Sequence, residues 1–88
     1  MSKKKFYLGK IMERNGDMEY TDSYIFTTTG NPGRYSDKVA MNWRSGSKAD
    51  YDEDFGGYWS DNTLIFNEGY RQIPEEHFNI LSIYMAQL

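Results

Sequence analysis

The chain has 88 residues, no cysteine, 17% aromatic residues with eight Tyr among them, and a formal net charge of -3. A domain of this size leaves roughly a third of its unfolded surface exposed and has little room for a buried catalytic cleft, and without Cys it has no disulfide, thiolate metal site or cysteine nucleophile. Net acidity argues against ordinary duplex binding, which draws affinity from Lys and Arg neutralising phosphates, and no apolar run approaches the roughly 20 residues of a membrane span.

Residues 1–4, with Lys3 and Lys4 leading to Lys5, read as a flexible basic start and not as the apolar core of a signal peptide. The expectation is a cytoplasmic protein whose mature form begins at Met1. From residue 5 to 14 the chain alternates, with Phe6, Leu8, Lys10 and Met12 on one face and Tyr7, Gly9, Ile11 and Glu13 on the other. Asn15-Gly16 then supplies a hairpin turn, and a second strand is predicted from about 18 to 29. A loop of Asn15-Gly16-Asp17 pairs Phe6 with Phe26, Leu8 with Tyr24, Lys10 with Asp22 and Met12 with Tyr20. A two-residue Asn15-Gly16 turn pairs Phe6 with Ile25 and Leu8 with Ser23 instead. The charges of this hairpin, Glu13, Asp17, Glu19 and Asp22, are expected to face water.

Gly30-Asn31-Pro32-Gly33 reads as a structural turn; it lacks the Lys-Ser or Lys-Thr ending of a phosphate loop. Ser36 is placed to cap a short helix carrying Val39, Ala40 and Trp43 at helical spacing, with Ser45, Gly46 and Ser47 ending it. Gly57 to Ser60, the turn formers Asp61 and Asn62, and Thr63 to Tyr70 predict a second hairpin. Pro74 opens a last helix with Glu75 and Glu76 in its first turn, and Phe78, Leu81, Tyr84, Met85 and Leu88 recur on one stripe to the end of the chain. The order ββαββα predicts a single α+β domain over residues 1–88, a mostly antiparallel four-stranded sheet with two helices on one face.

Between the first helix and the second hairpin, Asp50, Tyr51, Asp52, Glu53, Asp54, Phe55, Gly56, Gly57, Tyr58 and Trp59 concentrate four carboxylates and four aromatic rings. Asp50, Asp52, Asp54 and Asp61 fall on the first, third, fifth and twelfth places of a calcium loop, but Phe55 stands where the turn glycine belongs and Asp61 is shorter than the chelating Glu, so no metal is assigned. His77 is alone near the start of the last helix with no predicted acid or nucleophile partner, so no catalytic residue, enzyme activity or cofactor is assigned. Protein binding accounts for more of the pattern: Tyr51, Phe55, Tyr58 and Trp59 as apolar anchors, and Asp50, Asp52, Glu53 and Asp54 as an acidic rim complementary to a basic surface. The alternative is a single-stranded nucleic-acid module in which Tyr7, Tyr20, Tyr24, Phe26, Tyr58 and Trp59 line an open sheet face and Lys10, Arg14 and Arg34 meet phosphates. A small structural or assembly subunit is the third reading.

Taken together, the Lys start, the Asn15-Gly16 hairpin, the Trp43 helix, the acidic-aromatic segment ending in Tyr58-Trp59, and Ile73-Pro74-Glu75-Glu76 before a terminal helix resemble the small orphan proteins of phages and mobile elements, anti-CRISPR proteins and other anti-defence inhibitors among them. The resemblance covers nearly the full length, is one of style, and transfers no site residue. It implies a compact acidic non-enzymatic binder, monomer or homodimer, acting in the host cytoplasm by occluding the nucleic-acid-binding surface of a host defence complex.

Overall fold

The structure, a computed structural model, describes residues 3–44 and 50–88. Its strands are β1 (Lys5–Asn15), β2 (Met18–Thr28), β3 (Tyr51–Asp52), β4 (Gly57–Ser60) and β5 (Thr63–Ile73), and its helices α1 (Pro32–Asn42) and α2 (Glu75–Leu81). The strands form one antiparallel sheet in the order β2-β1-β5-β4-β3, so the element order is ββαβββα. The expected four strands become five because Tyr51-Asp52, inside the acidic-aromatic segment, adds a two-residue edge strand.

Both faces of the sheet are covered, one helix to each, where two helices on one face were expected. Tyr7, Ile11, Tyr24, Phe26 and Ile65 form one cluster with Ala40, against which Tyr35, Val39 and Trp43 of the α1 segment pack. Ile25 and Ile73 form a second with Phe78 of α2, joined by Phe6, Leu8, Leu81 and Met85. Successive residues of a strand point to opposite faces, so neighbours such as Phe6 and Tyr7 serve different clusters and the helices lie on opposite sides.

The register of β1 and β2 is neither of those expected. Tyr7 pairs with Phe26, Leu8 with Ile25, Gly9 with Tyr24 and Asn15 with Met18, which leaves Gly16-Asp17 as the turn. Gly16 has φ 61°, the positive value needed at the first central position of a type II′ turn. This register stacks Tyr7 on Phe26 at 5.0 Å between centroids, and Phe26 in turn on Tyr35 of α1 at 4.7 Å.

β5 carries one more residue than β1 between the pairs Gly9–Tyr70 and Ile11–Asn67. At this bulge Gly69 adopts φ 104°, and its N–H donates to Asn67 Oδ1 at 2.9 Å. The extra residue switches the parity of β5: Ile65 faces α1 below the bulge, and above it Tyr70 joins Tyr7 and Phe26 while Ile73 turns to Phe78. Asn67 also donates to Ser36 Oγ at 3.1 Å and to Asp37 Oδ1 at 2.8 Å, a polar tie between strand and helix.

The helix ends differ from expectation in instructive ways. α1 begins at Pro32, not after Ser36: the Asn31 side chain accepts from Gly33 N at 2.9 Å and Arg34 N at 3.2 Å, and proline occupies the first turn. Ser36 is a buried helix residue whose hydroxyl donates to the Gly33 carbonyl. The expected stop at Ser45, Gly46 and Ser47 lies outside the described residues. α2 ends at Leu81 although its apolar stripe continues, and Tyr84 is exposed. The chain turns instead to the edge of β2, where Ile25 N donates to Ala86 O at 3.1 Å and Leu88 N to Ile25 O at 3.0 Å. Tyr35 Oη adds a bond to the Leu88 carbonyl at 2.6 Å.

Candidate functional site

The acidic-aromatic segment is a β-hairpin on the far edge of the sheet. β4 pairs with β5 through Tyr58–Ile65, Trp59–Leu64 and Ser60–Thr63, with Asp61 at φ 55° in the intervening turn; β3 pairs with β4 through Tyr51–Tyr58 and Asp52–Gly57. Gly57 is required there, since a side chain would meet the Ile65 carbonyl at 2.7 Å.

Asp52 organises the turn at residues 53–56. Its Oδ1 accepts from the Asp54 and Phe55 N–H groups at 2.9 and 3.3 Å, its Oδ2 from Trp59 Nε1 at 3.0 Å, and its backbone carbonyl from Gly56 N at 2.7 Å. Gly56 completes the turn at φ 75°. The indole hydrogen bond, with the two backbone donors, holds the Asp52 carboxyl below the ordinary aspartate range. Asp52 therefore belongs to the frame of the hairpin, and both its oxygens are engaged by N–H donors.

Two aromatic pairs flank this frame. Tyr51 and Tyr58 meet edge to face at 5.0 Å, and Tyr58 is half-buried against the α1-side cluster, which raises its phenol pKa. On the other side Phe55 and Trp59 meet edge to face at 6.2 Å. Tyr51, Phe55 and Trp59 stay 46%, 57% and 38% exposed. Asp50, Glu53 and Asp54 are exposed beside them. Of the eight residues expected to bind a partner, six present their side chains to solvent, while Asp52 and Tyr58 serve to hold the hairpin.

The aromatic rings expected on an open sheet face are placed otherwise. Tyr7, Tyr24 and Phe26 are buried beneath α1, and Tyr20 and Trp59 are exposed at opposite ends of the strand order. His77 is exposed on α2. Among the described residues, no group of three or more His, Asp or Glu side chains is arranged to hold a metal ion.

One polar centre was not anticipated. Glu13, expected to face water, is buried and accepts from Trp43 Nε1 at 2.7 Å and from Arg44 Nε, bracing the end of α1 against β1. Arg44 in turn offers its backbone carbonyl to Ser60 Oγ at 2.6 Å, which ties β4 to the same centre. The signal was present in the alternation: Glu13 shares a face with Tyr7 and Ile11, and a charge on an apolar face calls for a partner.

No family model matches the chain, and neither a curated protein nor a solved structure matches it.

Proposed function

We propose that the chain is a non-enzymatic protein-binding domain that presents its β3–β4 hairpin to a basic surface of another protein. One observation carries this reading: Asp52 and Trp59 lock a turn that leaves Tyr51, Phe55 and Trp59 exposed among Asp50, Glu53 and Asp54. Binding is favoured when rigid aromatic anchors need no ordering on contact, and a rim of carboxylates steers them to a positive patch. A basic surface evolved to hold nucleic acid is the kind that this rim complements, and inhibition of a host defence complex by occlusion is the specific form proposed.

The test compares the wild type with Phe55→Ala and with the pair Glu53→Lys and Asp54→Lys as bait in pull-downs from a bacterial host. These changes are at exposed positions and should leave thermal unfolding unchanged, so the proposal expects loss of the captured partner without loss of fold, and weakening of capture by salt. Capture that ignores all three substitutions, or tight binding of single-stranded nucleic acid by the free domain, overturns it.

A further inference from the structure

At the opposite edge of the sheet from the hairpin, β2 offers a second and independent surface. Ile25 directs its N–H and C=O outward, to Ala86 and Leu88. Outward-facing backbone groups recur every second residue in an antiparallel ladder, so Glu19, Thr21 and Ser23 present theirs on the same edge. No described residue bonds to them, and all of Met18–Ser23 is exposed.

We infer that this edge is a docking site for an extended, basic segment of another protein, which adds as a further strand beside Glu19, Thr21 and Ser23. The fold already contains one such addition, since the chain's own residues 86–88 lie along the edge at Ile25 as a parallel bridge. Next to that bridge, on the α1 face, is a groove of about 570 Å³ lined by Tyr35, Val39, Trp43, Ala86 and Leu88 with Lys38 and Asn42. Trp43, one of its lining residues, meets the ring of Tyr24 in β2 at 6.0 Å between centroids. An added strand thus has an apolar seat for one side chain.

Charge chooses the occupant. Asp22 lies on the same face as Tyr24, two residues or roughly 6.6 Å along the strand, and makes no ion pair with any described residue. Asp17 and Glu19 add negative charge to the edge, and Glu19 is only loosely paired with Arg14 at 3.7 Å. Acidic residues on an exposed edge disfavour pairing with a second copy of the same strand and favour a segment bearing Lys or Arg. The matching pattern is an apolar residue for the groove and a basic residue two positions away, the spacing of side chains on one face of a strand.

The probe is acetyl-Lys-Thr-Leu-Thr-Lys-amide, with acetyl-Glu-Thr-Leu-Thr-Glu-amide as its charge-reversed counterpart, titrated into the ¹⁵N-labelled protein. Amide shifts confined to residues 18–25 and α1, for the basic peptide only, are the expected result. Thr21→Pro removes an outward N–H at an edge position that tolerates proline and should weaken binding about tenfold. Asp22→Asn should weaken it on the order of threefold, with reduced salt dependence. Equal binding of the acidic peptide, shifts that avoid this edge, or affinity unchanged in Thr21→Pro would each overturn the inference. So would a wild-type dimer that Thr21→Pro dissolves, because the edge would then belong to a second copy. The wild-type shift map decides the matter even if a variant fails to fold.

Discussion

The ring of Tyr24 sits over the backbone of Gly9: a Cβ built at Gly9 would come within 2.3 Å of the ring's Cζ and 2.6 Å of its hydroxyl oxygen. The pair is directly opposed in the β1–β2 ladder, and Tyr24 is fully buried between Phe26 and Trp43. The ring has nowhere to swing, so glycine opposite tyrosine is part of what selects this register. Gly9→Ala should destabilise the fold by about 1–3 kcal/mol through overpacking, read by urea denaturation. In a Tyr24→Leu background the added methyl has room, and the same substitution should cost distinctly less; equal costs in both backgrounds would show that the ring is not the obstacle.

Burial of Tyr24 also strands its hydroxyl, which has no hydrogen-bond partner among the described residues. Desolvation first, then the charges of Asp37 and Tyr35, push the phenol from 10.0 up to about 12. The folded state thus holds the proton more tightly than the unfolded state. Its contribution is fully present below pH 10 and is lost as the pH rises toward about 12. Tyr24→Phe removes both the orphaned hydroxyl and the titration. The variant should be as stable as wild type or about 1 kcal/mol more stable at neutral pH, and its loss of stability in alkali should be shallower. Marked destabilisation at pH 7 would mean that the hydroxyl is satisfied in solution.

How much could be read from the chain follows from where the deciding information lay. Asp61-Asn62 between two short apolar runs specified the β4–β5 hairpin locally, and it folds where expected. The start of α1 was equally local, because Asn31-Pro32 is a cap followed by a first-turn proline, but the glycines on either side made it read as a break. Coverage of both faces was legible in β1, where Phe6, Leu8 and Met12 are as apolar as Tyr7 and Ile11. The end of α2 was not legible. Its stripe through Tyr84, Met85 and Leu88 is genuine helical periodicity, overridden by hydrogen bonds to Ile25 some 60 residues away in sequence. At the candidate site the residue types announced an acidic and aromatic surface, whereas the division of labour between them depended on Asp52 reaching Trp59 across the turn.

Glu13 offers a test of how α1 is anchored. Its carboxylate is buried beneath Trp43 and Arg44, and Trp43 Nε1 donates a hydrogen bond to it. Glu13→Ala leaves the indole N–H unpaired and opens a gap beneath the end of the helix, so it should cost about 1–3 kcal/mol. Arg44 is half-exposed and can turn to water, which keeps the loss below that of a fully buried pair. Glu13→Gln retains an acceptor for the indole and should recover much of the loss. Chemical denaturation of the three proteins, with Trp43→Phe to close the cycle, separates the hydrogen bond from the ion pair; a Gln variant as weak as the Ala variant would assign the stabilisation to charge alone.

Asp52 makes the hairpin acid-sensitive. Trp59 Nε1 is the main cause of its lowered pKa, with the Phe55 and Asp54 N–H groups adding to it against a smaller opposing effect of desolvation. Because the folded value lies below the unfolded value of 3.8, the stabilisation is present above that pH and disappears as the pH falls through the folded value. The carboxyl ¹³C resonance of Asp52 should therefore titrate below 3.8. As Asp52 takes up its proton, the Trp59 indole ¹H signal should move in step, and amide exchange in residues 53–56 should rise before exchange in β1. Asp52→Asn keeps one oxygen to accept and loses the charge; it should reproduce the acid form of the turn at neutral pH, with the hairpin loosened and the two core clusters intact. An unshifted Asp52 titration, or an Asn variant whose turn exchanges as slowly as wild type, would show that the indole and carboxylate do not hold each other in solution.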